Sequence, residues 1–248
     1  MRLFLATATA AVLALAGCNP ATETAPVKAP SEAAAHWTYA DQAHWGGECP
    51  IGTAQSPVAL AAADSVDLPD LVPTYAAGAG TFLDNGHTLQ FTPDAAGRTL
   101  IGSDAYDLVQ FHFHSPSEHT LNGKAFPLEI HFVNRNADGA LAVVGVFVAE
   151  GAANPALAAL LAAVPGQEGE TGVTRPGVYP TLLLPEDRQY FAYAGSLTTP
   201  PCTEGVRWNV LATPIAASAE QIVALSAALG TSNRAVQPLH ERSAAFGD

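Results

Sequence analysis

The chain has 248 residues, 48% of them hydrophobic, and this length and composition suit one soluble domain behind a targeting segment. Its 23 acidic residues against 10 basic ones leave a formal charge of −13. No basic cluster occurs, which excludes nucleic acid and anionic lipid head groups as partners. A small neutral substrate is indifferent to this field, and the surplus serves solubility.

The first element, residues 1–17, carries one positive charge and then an apolar run ending at Gly17. It falls short of the ~20 apolar residues of a spanning helix and reads as a secretory signal. Leu15-Ala16-Gly17-Cys18 resembles the bacterial lipobox, in which the cysteine is lipidated and begins the mature protein; the alternative is an ordinary signal peptide cut elsewhere. A lipoprotein cysteine carries several chains, which implies firm tethering to a bacterial membrane and a place in the periplasm or cell envelope. That anchor would be the only membrane contact. Residues 18–35, rich in Ala, Pro, Thr and Glu, have no apolar period and read as a flexible tether. A single domain then runs over residues 36–248. With Cys18 lipidated, Cys49 and Cys202 remain as an even pair in an oxidising compartment, and a disulfide is expected. The alternative is two buried thiols; neither cysteine sits in a metal-type C-x-x-C pair.

From Trp37 onward the pattern is β-rich. Strands are expected at Thr99 to Ile101, Asp107 to His114, Pro127 to Val133, Leu141 to Val148, Tyr190 to Tyr193 and Val206 to Ala212. The nearly continuous apolar run Leu141 to Val148 predicts a central strand buried on both faces. Turns are marked by Asp84-Asn85-Gly86, Asn122-Gly123 and Asp138-Gly139. Two helices are expected: Asn154 to Ala163, with Pro155 at its first position, and Ser218 to Leu229, with Ser218 as N-cap and Gly230 beyond its end.

Two of these strands carry the chemistry. In Gln110-Phe111-His112-Phe113-His114, alternation puts both histidines on one face and both phenylalanines on the other. In Glu129-Ile130-His131-Phe132-Val133, His131 shares a face with Glu129 and Val133. If the strands pair, three imidazoles converge above one patch of sheet. Three neutral imidazoles with an open fourth position make a catalytic rather than a structural zinc site. Gln110 and Glu129 each stand two residues before a histidine on the same face, where each could orient a ligand ring.

The ordered landmarks carry a family resemblance. They are His36-Trp37-Thr38-Tyr39, Gln55-Ser56-Pro57-Val58, Asn85-Gly86-His87, Gln110 to His114, Ser117-Glu118-His119-Thr120, Glu129-Ile130-His131, Leu141-Ala142-Val143, Gly195 to Pro201, and Asn233-Arg234-Ala235-Val236-Gln237-Pro238. Together they make the chain resemble an α-class carbonic anhydrase of the secreted bacterial branch, from about His36 to Arg242. The resemblance implies a mainly β single domain: a central, roughly ten-stranded, mostly antiparallel twisted sheet, a few short peripheral helices, and one zinc ion at the floor of a conical cavity.

It also implies roles. Zinc on His112, His114 and His131 would lower the pKa of a bound water to about 7, and the resulting hydroxide would attack CO2 to give bicarbonate. Thr198 would accept a hydrogen bond from the hydroxide and donate its own to Glu118. Thr199 would contact bicarbonate. Val133, Val143, Leu197, Val206 and Trp208 would form the apolar wall for CO2. His87 would relay the proton to buffer, with Tyr39, Asn85 and Gln90 ordering its path. Gln110, Glu129, His119 and Asn233 would support the ligands, His119 by hydrogen bonding rather than as a fourth ligand.

Some positions depart from the commoner pattern. Ser115-Pro116-Ser117 is short and implies a more open cavity, and Leu89 and Gln90 alter its lining. Weak ester hydrolysis is expected as a side reaction. A silent binding lipoprotein on the same fold, and an ester-directed zinc hydrolase, are the competing readings; a zinc carrier would need a His-rich tract, and none is visible. Imidazole ligands also suit cobalt or iron. Monomer and homodimer both remain open.

Overall fold

The computed structural model describes residues 37–61, 64–95, 97–173 and 178–248. The expectations for residues 1–17, Cys18, the tether and His36 lie outside the described residues. The strands, in chain order, are β1 (Ala59–Leu60), β2 (Leu71–Tyr75), β3 (Gly80–Asp84), β4 (Leu89–Pro93), β5 (Gly97–Ile101), β6 (Asp104–His114), β7 (Thr120–Leu121), β8 (Leu128–Arg135), β9 (Leu141–Glu150), β10 (Thr171–Val173), β11 (Tyr190–Ser196), β12 (Glu204–Ala217) and β13 (Ala245–Gly247). Two α-helices, α1 (Pro155–Leu161) and α2 (Ala219–Leu229), join them, with 3-10 turns at Tyr39–His44 and Pro180–Leu183.

Eleven strands form one sheet in the order β10-β3-β4-β6-β8-β9-β12-β11-β13, with β5 also on β6 and β2 on β5. Every pairing in it is antiparallel except β9 with β12. β1 and β7 make a separate parallel pair. The six strands expected from sequence are all present, each extended at one end or both except that β8 starts one residue later, at Leu128. β2 escaped because Pro73 interrupts it; proline cannot donate to a ladder and is tolerated at an edge, and β2 pairs with β5 alone.

Alternation splits the core in two. Phe111, Phe113, Ile130, Phe132, Val144 and Val146 belong to one apolar cluster. Val143, Phe147, Val206, Trp208 and Val210 belong to the other. β9 contributes to both, as its continuous apolar run predicts.

The helices start where their caps lie. Asn154 Oδ1 accepts the main-chain N–H of Ala156 at 2.9 Å, with Pro155 next in line. Ser218 and Gln221 form a capping box on α2. The two caps also interlock, since Gln221 Nε2 donates to the Asn154 carbonyl at 2.7 Å and its Oε1 accepts the Asn154 N–H at 2.8 Å. α1 ends two residues before Ala163. At the Asp138-Gly139 turn, Gly139 takes a φ of 87°, a conformation that glycine adopts without a Cβ penalty.

Cys49 and Cys202 are disulfide-bonded, 153 residues apart. Closing so long a loop is worth roughly 5 kcal/mol in the chain-entropy picture. The bridge ties the segment after Trp45 to the loop that carries Thr198 and Thr199.

Candidate metal centre

The β6–β8 register places His112 opposite His131 and His114 opposite Glu129. The ring centroids lie 5.0 Å (His112–His114), 5.3 Å (His112–His131) and 4.4 Å (His114–His131) apart. Ligand-capable atoms of all three fall within 4.8 Å of one another.

Each ring has one nitrogen committed to an acceptor. His112 Nδ1 lies 2.9 Å from Gln110 Oε1. His114 Nδ1 lies 2.5 Å from the Ser232 carbonyl. His131 Nε2 lies 2.9 Å from Glu129 Oε1. These oxygens only accept, so each of those nitrogens carries the proton and the other keeps a lone pair. His114 Nε2 is buried and has no hydrogen-bond partner. An unpartnered buried nitrogen costs free energy unless something else takes its lone pair. Three convergent lone pairs from neutral imidazoles, one of them orphaned, fit a divalent cation such as zinc.

Electrostatics keep the rings neutral. Burial drives His112 well below its usual range, and the neighbouring His114 and His131 reinforce this. Burial takes His114 down to about 4, and lowers His131 as well. Glu129 beneath them behaves oppositely. Burial alone would raise its carboxyl, but His119 and His131 hold it well below the usual carboxylate range. Glu129 Oε2 accepts the main-chain N–H groups of Glu118 and His119, both at 2.9 Å, and Oε1 also lies 2.7 Å from His119 Nδ1. His119 Nε2 meets the Tyr193 hydroxyl at 2.6 Å, so both of its nitrogens are occupied.

Glu118 is a second buried carboxyl. Burial pushes it up to about 7, against the pull of His131, the Arg234 N–H and the Thr198 side chain. Its Oε1 accepts the Arg234 N–H at 2.8 Å, and its Oε2 stands 3.8 Å from His131 Nδ1. Thr198 is buried beside it, while Thr199 is half-buried and its carbonyl accepts the Cys202 N–H. The five apolar residues expected together do gather: Val143, Val206 and Trp208 in one cluster, with Val133 and Leu197 packed against it. The Trp208 ring sits 4.8 Å from that of His131.

The expected relay residues lie around the turn after β3 and at Tyr39. His87 is half-buried and stacks on Trp37 at 3.8 Å. Asn85 Oδ1 accepts the N–H groups of His87 and Thr88, so its side chain shapes the turn. Gln90 pairs with His112 across β4 and β6, but its amide donates to Thr92. The Tyr39 hydroxyl is buried without a partner, and burial raises its pKa.

The Asn233 carbonyl accepts from Gln42 Nε2, and the neighbouring Ser232 supplies the carbonyl bound to His114. Sequence reasoning also gave no role to Arg234, whose buried guanidinium donates to Gln55 Oε1 and the Ser56 carbonyl. The sequence signal was that Arg234 lies inside the Asn233 to Pro238 landmark and Ser232 stands just before it.

Comparison with known proteins agrees with this centre. The eukaryotic-type carbonic anhydrase family matches residues 36–244. A carbonic anhydrase of Pectobacterium carotovorum is 42% identical over 217 residues, covering 84% of this chain and 89% of the relative. The α-carbonic anhydrase structure of Photobacterium profundum aligns with a TM-score of 0.78 and 36% identity, covering 84% of this chain and 99% of that one. That of Thermovibrio ammonificans, in complex with sulfanilamide, aligns with a TM-score of 0.77 and 40% identity, covering 79% and 88%. The chain belongs to the eukaryotic-type, or alpha, carbonic anhydrase family, and its reaction is the reversible hydration of carbon dioxide.

Proposed function

We propose that His112, His114 and His131 hold one zinc ion and that the site interconverts CO2 with bicarbonate and a proton. The observation that carries this is the set of three converging lone pairs, each fixed by a hydrogen bond on the far side of its ring. Bound there, the dication would supply Lewis acidity enough to bring the pKa of a water near 7, which makes a nucleophile at neutral pH.

The rest is the work of the chain. Neutral ligands leave the ion its full charge, and burial keeps these three neutral. A nearby dication would also oppose the upward push on Glu118 and favour its carboxylate. An ionised Glu118 accepts a hydrogen bond from the Thr198 hydroxyl, which leaves the Thr198 oxygen to accept a hydrogen bond from the attacking group and aim it. Thr199 contacts the product. CO2 has no charge or dipole, so the wall of Val133, Val143, Leu197, Val206 and Trp208 receives it without demanding hydrogen bonds. His87 carries the released proton outward past Tyr39, Asn85 and Gln90. It stacks on Trp37 at a half-buried position from which it can meet buffer.

The site supports weak ester hydrolysis by the same chemistry. A secreted, lipid-anchored protein of the bacterial envelope, tethered at Cys18, is the setting that suits the disulfide. Stopped-flow CO2 hydration with metal analysis before and after chelation tests the proposal. One zinc per chain, and loss of rate in step with loss of metal, is the expected result. Full rate in metal-free protein would refute it, and an ester rate exceeding the hydration rate would reassign the substrate.

A further inference from the structure

His114 is the last residue of β6, so the sheet holds its ring from one side only. Its Nδ1 partner, the Ser232 carbonyl, comes from a segment 118 residues away that belongs to no helix or strand. A carbonyl on a loop orients a ring only if the loop itself is fixed. Here the fixing is done by serines. The Ser232 N–H donates to the Ser115 carbonyl at 2.9 Å. The Ser115 N–H donates to Ser232 Oγ at 3.0 Å. These two bonds close a clamp between the residue next to the ligand and the residue that orients it. The Ser115 hydroxyl then donates to Ser226 Oγ at 3.0 Å, which fastens the clamp to α2. That helix is held by its capping box and by the Gln221–Asn154 interlock. Ser115 and Ser232 are 6% and 1% exposed, so water cannot readily replace the lost partner of either.

We propose that the Ser232 hydroxyl, with Ser115 and Ser226, is a positioning device that holds the His114 ring for the metal and so sets how slowly the metal leaves. This rests on the zinc reading above. Removing the hydroxyl leaves the buried Ser115 N–H without its acceptor. The loop must then move to satisfy it, and the carbonyl on His114 moves with the loop.

The test is zinc release from the loaded protein to excess chelator, with the visible spectrum of the cobalt-substituted form as a second readout. Ser232→Ala should release zinc about tenfold faster, in the range seen for lost partners of ligand histidines, and should alter the cobalt spectrum. Ser232→Thr keeps the hydroxyl and should restore slow release. Ser115→Ala and Ser226→Ala cut one and the same bond. Each should speed release about threefold, the size of one net hydrogen bond, and the double variant should go no further. That pair decides the matter even if Ser232→Ala fails to fold. Unchanged release and an unchanged cobalt spectrum, with Tm lowered equally in loaded and metal-free protein, would overturn the clamp alone. Wild-type protein that holds no zinc would overturn the metal-centre reading itself, and the clamp with it.

Discussion

The rings proposed to hold the metal and the residues proposed for the proton path differ in their surroundings. His114 and His131 are buried, and each has one nitrogen bonded to a fixed oxygen, as does half-buried His112. His87, a short way along the sheet after β3, stacks on Trp37, with its main-chain N–H on Asn85. Groups that must hold one geometry are locked by a second layer of hydrogen bonds. The group proposed to trade protons with solvent stacks on an aromatic face and is half-buried. Under the proposed function, the first region stands to lose its metal and the second only its speed.

Removing a ring from the locked region should have the largest effect. His114→Ala deletes a lone pair and strands the Ser232 carbonyl, so both zinc and CO2 hydration should be lost to background. Metal analysis of the purified variant checks this. Stoichiometric zinc in His114→Ala would break the contrast, because the locked region would then not be what holds the ion.

A substitution in the open region should cost less. His87→Ala should slow hydration in weak buffer by roughly 10²-fold, the lower end for loss of a proton-transfer group. Zinc content and CO2 affinity should stay as in the wild type. Added imidazole should restore much of the rate, because a free imidazole can do what the half-exposed ring did. A variant that is slow in every buffer and deaf to imidazole would place His87 among the structural residues of its turn.

The locked region was partly legible and the reasons are local. Alternation alone put His112 with His114 and Gln110, and His131 with Glu129, because a strand repeats every two residues. The disulfide followed from counting cysteines. Ser232 was not legible, since nothing in its neighbours reports a contact 118 residues away; the expected support was named one residue on, at Asn233, whose carbonyl accepts from Gln42. β1 and β7 have two residues each, too few for a period, and Pro73 disguised β2. The Gln55-Ser56 landmark stood in the sequence without a role. The fold shows Gln55 accepting from Arg234 while its amide donates to the Cys202 carbonyl, which links the Glu118 anchor to the Thr198 loop.

Acid should reveal the same lock in the metal-free protein, by a smaller amount. His114, at about 4 when folded against 6.5 in the unfolded chain, takes up its proton more readily when unfolded. Its contribution to stability is therefore present above pH 6.5 and is lost as the pH falls toward 4; at 1.36 kcal/mol per unit this is up to about 3 kcal/mol. His112 and His131 are shifted in the same direction. Glu118 works against them. Its folded value of about 7 lies above 4.5, so the folded protein binds that proton first and gains stability as the pH falls through 7. Three rings against one carboxyl leave a net loss between pH 6.5 and 4.5. Urea unfolding of metal-free protein across this window should show the midpoint falling with pH. In Glu118→Gln the opposing proton is gone, and the fall should steepen by up to about 1.4 kcal/mol per pH unit where Glu118 titrates. A flat profile in both proteins would mean that the rings are not held neutral by burial, and the contrast with the open, half-exposed His87 would lose its physical basis.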